Sequence, residues 1–116
     1  IYFLSVYETV KDYTGLEYLT NLNSLFLGGT TDENGMDELL EKLSGLKELD
    51  RLYLPLNIAV NEDQMKILYQ MALKTIDLYL DDFDLLTPEG AEDINQWKIC
   101  VYGLKIKIFH FQNYLR

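Results

Sequence analysis

The sequence has one cysteine, one histidine and no apolar run longer than a few residues. The lone Cys100 cannot close an internal disulfide, which excludes a small disulfide-stapled scaffold. His110 has no second histidine or cysteine near it to share a zinc ion, and no Ser-His-Asp or Cys-His frame surrounds it; it reads as a partly buried histidine of a terminal strand. The short apolar runs fall far below the ~18 residues that cross a bilayer, and no signal-peptide pattern opens the chain. Positive charge is scarce too, with Lys+Arg 10 against Asp+Glu 19 and a net charge of −9. That balance argues against a phosphate-backbone binder and against an anionic membrane surface. Neither a G-x-G-x-x-G nor a G-x-x-x-x-G-K-[ST] segment occurs, so nucleotide binding has no support.

Leucine is abundant. There are 22 in 116 residues, and hydrophobic residues reach 48%, which is incompatible with disorder. The length suits one domain, 1–116, that folds without metal or disulfide.

The leucines are periodic. Leu22 to Thr30 reads L-N-S-L-F-L-G-G-T and Leu49 to Asn57 reads L-D-R-L-Y-L-P-L-N, both fitting L-x-x-L-x-L-x-x-N/T. Weaker copies place Leu4/Val6, Ile76/Leu78 and Ile99/Val101 at the central L-x-L. The intervals between Leu4, Leu25, Leu52, Ile76 and Ile99 are 21, 27, 24 and 23 residues. Each L-x-L predicts a short strand whose two apolar side chains enter a shared core while the residue between them faces out.

The connections differ. Met36, Leu39, Leu40 and Leu43, closed by Ser44-Gly45, predict a helix, and Met65, Leu68 and Ala72 behind Asn61-x-x-Gln64 predict a second. Thr87-Pro88-Glu89 opens a third. Lys11 to Asn21, with Thr14-Gly15 and the Leu16, Leu19, Leu22 ladder, predicts a short turn or a single helical turn. Tyr102-Gly103-Leu104 and the alternating Lys105 to Phe111 break the interval and predict a closing strand hairpinned back on the Ile99–Val101 strand.

Val10 to Thr30, V-K-D-Y-T-G-L-E-Y-L-T-N-L-N-S-L-F-L-G-G-T, resembles an internalin-type leucine-rich repeat. The later repeats, with longer helix-bearing connections, are similar to the ribonuclease-inhibitor-type class. The resemblance covers residues 1 to 102. It implies an α/β solenoid with about five parallel strands on a concave face, helices or turns on the convex face, and residues 103–116 as a C-terminal cap. Such repeats are mainly protein-binding modules that use the concave sheet and share no catalytic residues, so the resemblance implies a binding surface, no enzyme and no cofactor. A solenoid needs a terminal cap, and residues 1 to 9 enter directly on a strand. The chain therefore reads as a fragment of a longer protein or as one whose first edge is covered by a partner, another copy paired edge to edge included.

In this register the outward positions are Phe3, Ser5 and Tyr7; Ser24, Phe26 and Gly28; Arg51, Tyr53 and Pro55; Thr75, Asp77 and Tyr79; Lys98, Cys100 and Tyr102. Six of these fifteen are Phe or Tyr, against 13% aromatics overall. Cross-strand aromatic pairs can stabilise a sheet by about 0.2–1 kcal/mol each. Exposed aromatics also mark interaction sites. Phe3, Tyr7, Phe26, Arg51, Tyr53, Asp77, Tyr79 and Tyr102 are accordingly the candidate partner-binding residues, with Arg51 and Asp77 as orienting charges. Cys100 faces outward in the same register, and nothing in its neighbours Ile99 and Val101 depresses its thiol pKa.

The charge is bipolar: residues 1–97 carry −13 and the last nineteen +4. The expected function is a protein–protein interaction module of cytoplasmic location, or of the cell surface or the secreted space as part of a longer protein. A small acidic inhibitor or immunity protein that neutralises a basic-surfaced enzyme or toxin is the alternative, its encounter steered by charge. Asp81, Asp82 and Asp84 with Asp77 lack the sharp glycine turn of a cation loop, and Asp32-Glu33-Asn34-Gly35 reads as an Asn-Gly turn before a helix, so no metal site is expected. A hydrolase built on Asp77 and Asp81 would require both carboxyls in one pocket.

Overall fold

The L-x-L segments form strands. The computed structural model describes residues 2–82, Leu85, and the strand segments 98–103 and 107–110, the last two by backbone alone. Its elements are β1 (Phe3–Val6), a 3-10 turn (Leu16–Tyr18), β2 (Ser24–Leu27), α1 (Glu33–Leu43), β3 (Arg51–Tyr53), α2 (Glu62–Tyr69), β4 (Thr75–Leu80), β5 (Lys98–Gly103) and β6 (Lys107–His110). The fold is α/β, built on an all-parallel sheet of β1 to β4. The β5 backbone continues that sheet in parallel, and β6 returns antiparallel on β5. Strand order is chain order.

The register puts Leu4, Leu25, Leu52, Ile76 and Ile99 directly opposite one another. Their spacing of 21 to 27 residues is thus the length of one strand-to-strand circuit. Each circuit is entered in the same way. Asn23 and Ser24 donate their N–H groups to the Tyr2 carbonyl, Asp50 and Arg51 to that of Asn23, and Lys74 and Thr75 to that of Asp50.

One face of the sheet supplies the core. Leu25, Leu27, Leu52, Leu54, Ile76, Leu78 and Leu80 are buried there. They pack in one cluster with Met36, Leu39, Leu40 and Leu43 of α1 and Met65 and Leu68 of α2. Burying a side chain of this size contributes about 1.5–3 kcal/mol. Among the described residues, no helix is long and apolar enough to cross a membrane.

The helix signals resolve at the caps. Asn61 Oδ1 accepts from Gln64 N–H at 2.8 Å and Gln64 Oε1 accepts from Asn61 N–H at 2.9 Å, a reciprocal capping box. Three expectations are corrected. The helix carrying Met65 and Leu68 stops at Tyr69, where Gln70 and Met71 donate to carbonyls three residues back; Ala72 lies beyond it and is exposed. Asn34-Gly35 is no turn before a helix: Asp32 caps α1 by accepting from Gly35 N–H at 2.7 Å, which places both residues in the first helical turn. Pro55 is buried, because β3 ends at Tyr53 and the inside-outside alternation ends with it. The helix expected at Thr87-Pro88-Glu89 lies outside the described residues.

Candidate binding face

On the face away from α1 and α2, the sheet register sorts the outward side chains into rows. Phe3, Ser24, Arg51 and Thr75 form one row, and Ser5, Phe26, Tyr53 and Asp77 the next; in backbone register Lys98 and Cys100 of β5 stand beside Thr75 and Asp77. Tyr79, opposite Tyr102, belongs to a third, two residues further along the strands. Among the described residues no helix or strand covers this face.

The rows bring three of the predicted aromatics into contact. The Tyr7 and Phe26 rings lie 5.5 Å apart at 49°, and those of Phe26 and Tyr53 lie 5.7 Å apart at 45°. Both geometries are the tilted arrangement that ring quadrupoles favour, contributing about 0.5–1.5 kcal/mol per pair. Tyr7 is 77% exposed and Phe3 61% exposed, whereas Phe26 and Tyr53 are half-buried by their neighbours. The row thus rises out of the sheet towards β1.

Gly28 is the residue that the aromatic count passed over. A Cβ there would stand 2.9 Å from Phe26 Cε1 and 3.5 Å from Tyr7 Cδ1. The glycine leaves room for the two rings. It was legible as an outward position, but a sequence does not show which ring folds over it.

The charged members are spread out. Arg51 is exposed, and Asp77 is half-buried opposite Tyr53 on the next strand. Tyr79 stands apart from the ring row and donates its hydroxyl to Asp81. That hydrogen bond, then the negative charge of Asp81, then partial burial hold the Tyr79 phenol above its ordinary pKa. Asp81 therefore belongs to the face through Tyr79. The side chain of Tyr102 lies outside the described residues, as do those of Cys100 and His110.

Among the described residues, no three His, Cys, Asp or Glu side chains come together as a metal site. Asp81 and Asp82 line a cleft of about 460 Å³ with Glu33, Asn61 and Glu62, and Asp77 is not among its walls. The carboxyl pair that a hydrolytic mechanism would need does not share that cleft. Asp84 lies outside the described residues.

No protein family, curated protein or solved structure matches the chain.

Proposed function

We propose that this chain is a leucine-rich repeat solenoid that binds another protein through the face carrying Tyr7, Phe26 and Tyr53. The observation that carries this reading is the row of touching aromatic rings on a face that no described element covers. Aromatic side chains are enriched at the energetic centres of interfaces because they bury large rigid areas at low entropic cost. Phe3 and Tyr79 extend the apolar contact, and Arg51 and Asp77 supply charges that fix the partner's orientation.

The repeat reading is supported by what the last position of L-x-x-L-x-L-x-x-N/T does. Asn57 accepts from Thr31 N–H at 3.0 Å and donates to the Thr31 carbonyl at 2.8 Å, tying its loop to that of the preceding circuit. Thr30, at the same place in the earlier copy, has its Oγ1 2.9 Å from Thr9 Oγ1. Both side chains reach back one circuit, which is how a stacked repeat closes its loops.

A protein captured from the source lysate and then purified provides the test. Replacing Tyr53 and Tyr79 together with Ala should weaken its affinity by more than about tenfold while the fold, read by circular dichroism, persists. Undiminished affinity would remove this face from the binding site. The acidic-inhibitor reading is favoured by the −13 carried by residues 1–97. It predicts an association rate that falls steeply with added salt, and a salt-independent rate counts against it.

A further inference from the structure

We infer that Asn34-Gly35 is a site of spontaneous deamidation, held shut by the Asp32 cap and opened when the first turn of α1 frays. Asn-Gly is the dipeptide in which this chemistry runs most readily, because glycine leaves its own backbone nitrogen unshielded by a side chain. Asn34 is the one asparagine of the chain that glycine follows; the other six precede Leu, Ser, Ile, Glu, Gln and Tyr. It is exposed, so water reaches its carboxamide.

Packing explains the glycine. Its φ is not positive, so no reversal of the chain requires it. A Cβ at position 35 would collide with Thr31 Oγ1 and stand 3.1 Å from Asp32 Oδ1. The cap closes so tightly on Gly35 that a side chain has no room, and a labile dipeptide comes with it.

The reaction begins when the Gly35 nitrogen, having lost its proton to solvent base, attacks Cγ of Asn34. The new N–Cγ bond closes a succinimide ring, the Cγ–Nδ2 bond breaks, and ammonia leaves with a proton taken from water. Water then opens the ring at either carbonyl, giving aspartate or isoaspartate at position 34 with no change of oxidation state. In the folded chain the first step is opposed in three ways. The Gly35 N–H donates to Asp32 Oδ1 at 2.7 Å, and a charged acceptor holds that proton firmly. The same carboxylate disfavours a second negative charge on the nitrogen beside it. Asn34 is also helical, and its ψ must leave the helical range before Cγ can reach the nitrogen. Met36 N–H, bonded to the Asp32 carbonyl at 2.9 Å, keeps the turn closed against that rotation.

The two products differ in consequence. Aspartate keeps the backbone and adds a negative charge to the wall of a cleft of about 590 Å³ that Asn34 shares with Lys11, Tyr13 and Thr30. Isoaspartate lengthens the main chain by one methylene between Asp32 and Met36. Met36 is fully buried in the core, so the cap and the seat of Met36 cannot both be kept. Deamidation therefore records how often the turn has opened.

The test is incubation at mildly alkaline pH, with the Asn34 peptide followed by proteolysis and mass spectrometry and its aspartate and isoaspartate forms separated by chromatography. The folded parent should react far more slowly than the same protein unfolded in urea. Asp32→Ala, checked for folding by circular dichroism, should speed the reaction about fivefold, the increase in fraying that loss of a cap brings. Asp32→Asn keeps a capping oxygen and should stay close to the parent. Leu52→Ala weakens the core and leaves the cap, so it should stay close to the parent as well. Equal rates in the folded and unfolded parent, Asp32→Ala no faster than the parent, or Leu52→Ala as fast as Asp32→Ala overturns the inference.

Discussion

Gln64→Glu replaces one atom in the core of the molecule and should be costly. Gln64 is 1% exposed. Its Oε1 accepts from Asn61 N–H, and its Nε2 donates to Asp37 Oδ1 at 2.8 Å, a bridge that joins α2 to α1 across 27 residues. Glutamate keeps the first bond and turns the second into two carboxylate oxygens with no hydrogen between them. The lost hydrogen bond to a charged group is worth about 1.5–3 kcal/mol, and repulsion adds to it, moderated by water because Asp37 is exposed. The total has a ceiling. Protonating the introduced carboxylate restores a donor, and at pH 7 that costs about 3.7 kcal/mol from an ordinary glutamate pKa near 4.3. A loss of about 2–4 kcal/mol follows, or roughly 10 °C in Tm for a chain of this size. The introduced glutamate has its folded pKa raised, so the folded state holds a proton that the unfolded state has released. The deficit relative to the parent is then full at neutral pH, narrows as pH falls through the folded pKa, and largely vanishes below about 4. Thermal melts of both proteins from pH 7 to pH 4 measure this. Equal stability at pH 7, or a deficit that does not change with pH, would refute the Gln64–Asp37 bridge.

The other expectations can be stated briefly. Leu52→Ala, fully buried on β3, should cost about 2–5 kcal/mol in chemical denaturation, and a loss under 1 kcal/mol would contradict the packing. Gly29→Ala would place a Cβ 2.4 Å from the Glu8 carbonyl oxygen, a backbone atom that cannot swing away, so a loss of about 1–3 kcal/mol is expected; a neutral outcome would show that the two loops stand further apart. Asn57→Ala removes both bonds to the Thr31 peptide and should cost about 1–3 kcal/mol. Tyr79 should ionise above the ordinary tyrosine value in an alkaline ultraviolet titration. Because its folded pKa is raised, the associated stability is present below about pH 10 and lost as pH rises through the folded value; Asp81→Asn should bring its midpoint down, and an unmoved midpoint would contradict the hydrogen bond.

Much of the sheet could be read from local spacing, since a strand that buries alternate residues must repeat L-x-L, and the burial of Leu25/Leu27, Leu52/Leu54 and Ile76/Leu78 follows that rule. The Asn61-x-x-Gln64 cap was legible because both its bonds lie within four residues. Errors arose where two local rules compete. Asn34-Gly35 has strong turn chemistry, but the buried Met36 stripe and the Asp32 cap draw it into α1. Ala72 continues an apolar spacing, yet Met71 and Leu73 take the buried places around it. The candidate face was legible as a set of outward aromatics, because alternation names them one strand at a time. Which of them touch was not. The contact of Tyr7 with Phe26 depends on Gly28, and the Gln64–Asp37 and Asn57–Thr31 bonds span 27 and 26 residues.

A sheet whose spatial order repeats its chain order also constrains how the protein comes together. Each strand from β2 to β4 finds its neighbour one short circuit back, so none has to await a distant segment, and the entropy of closing each circuit is nearly the same. Assembly can therefore spread outward from the strands packed over α1 and α2, and dissolution can retrace it from the half-buried β1 end. Amide protons should record that gradient, exchanging fastest in β1 and slowest in β4.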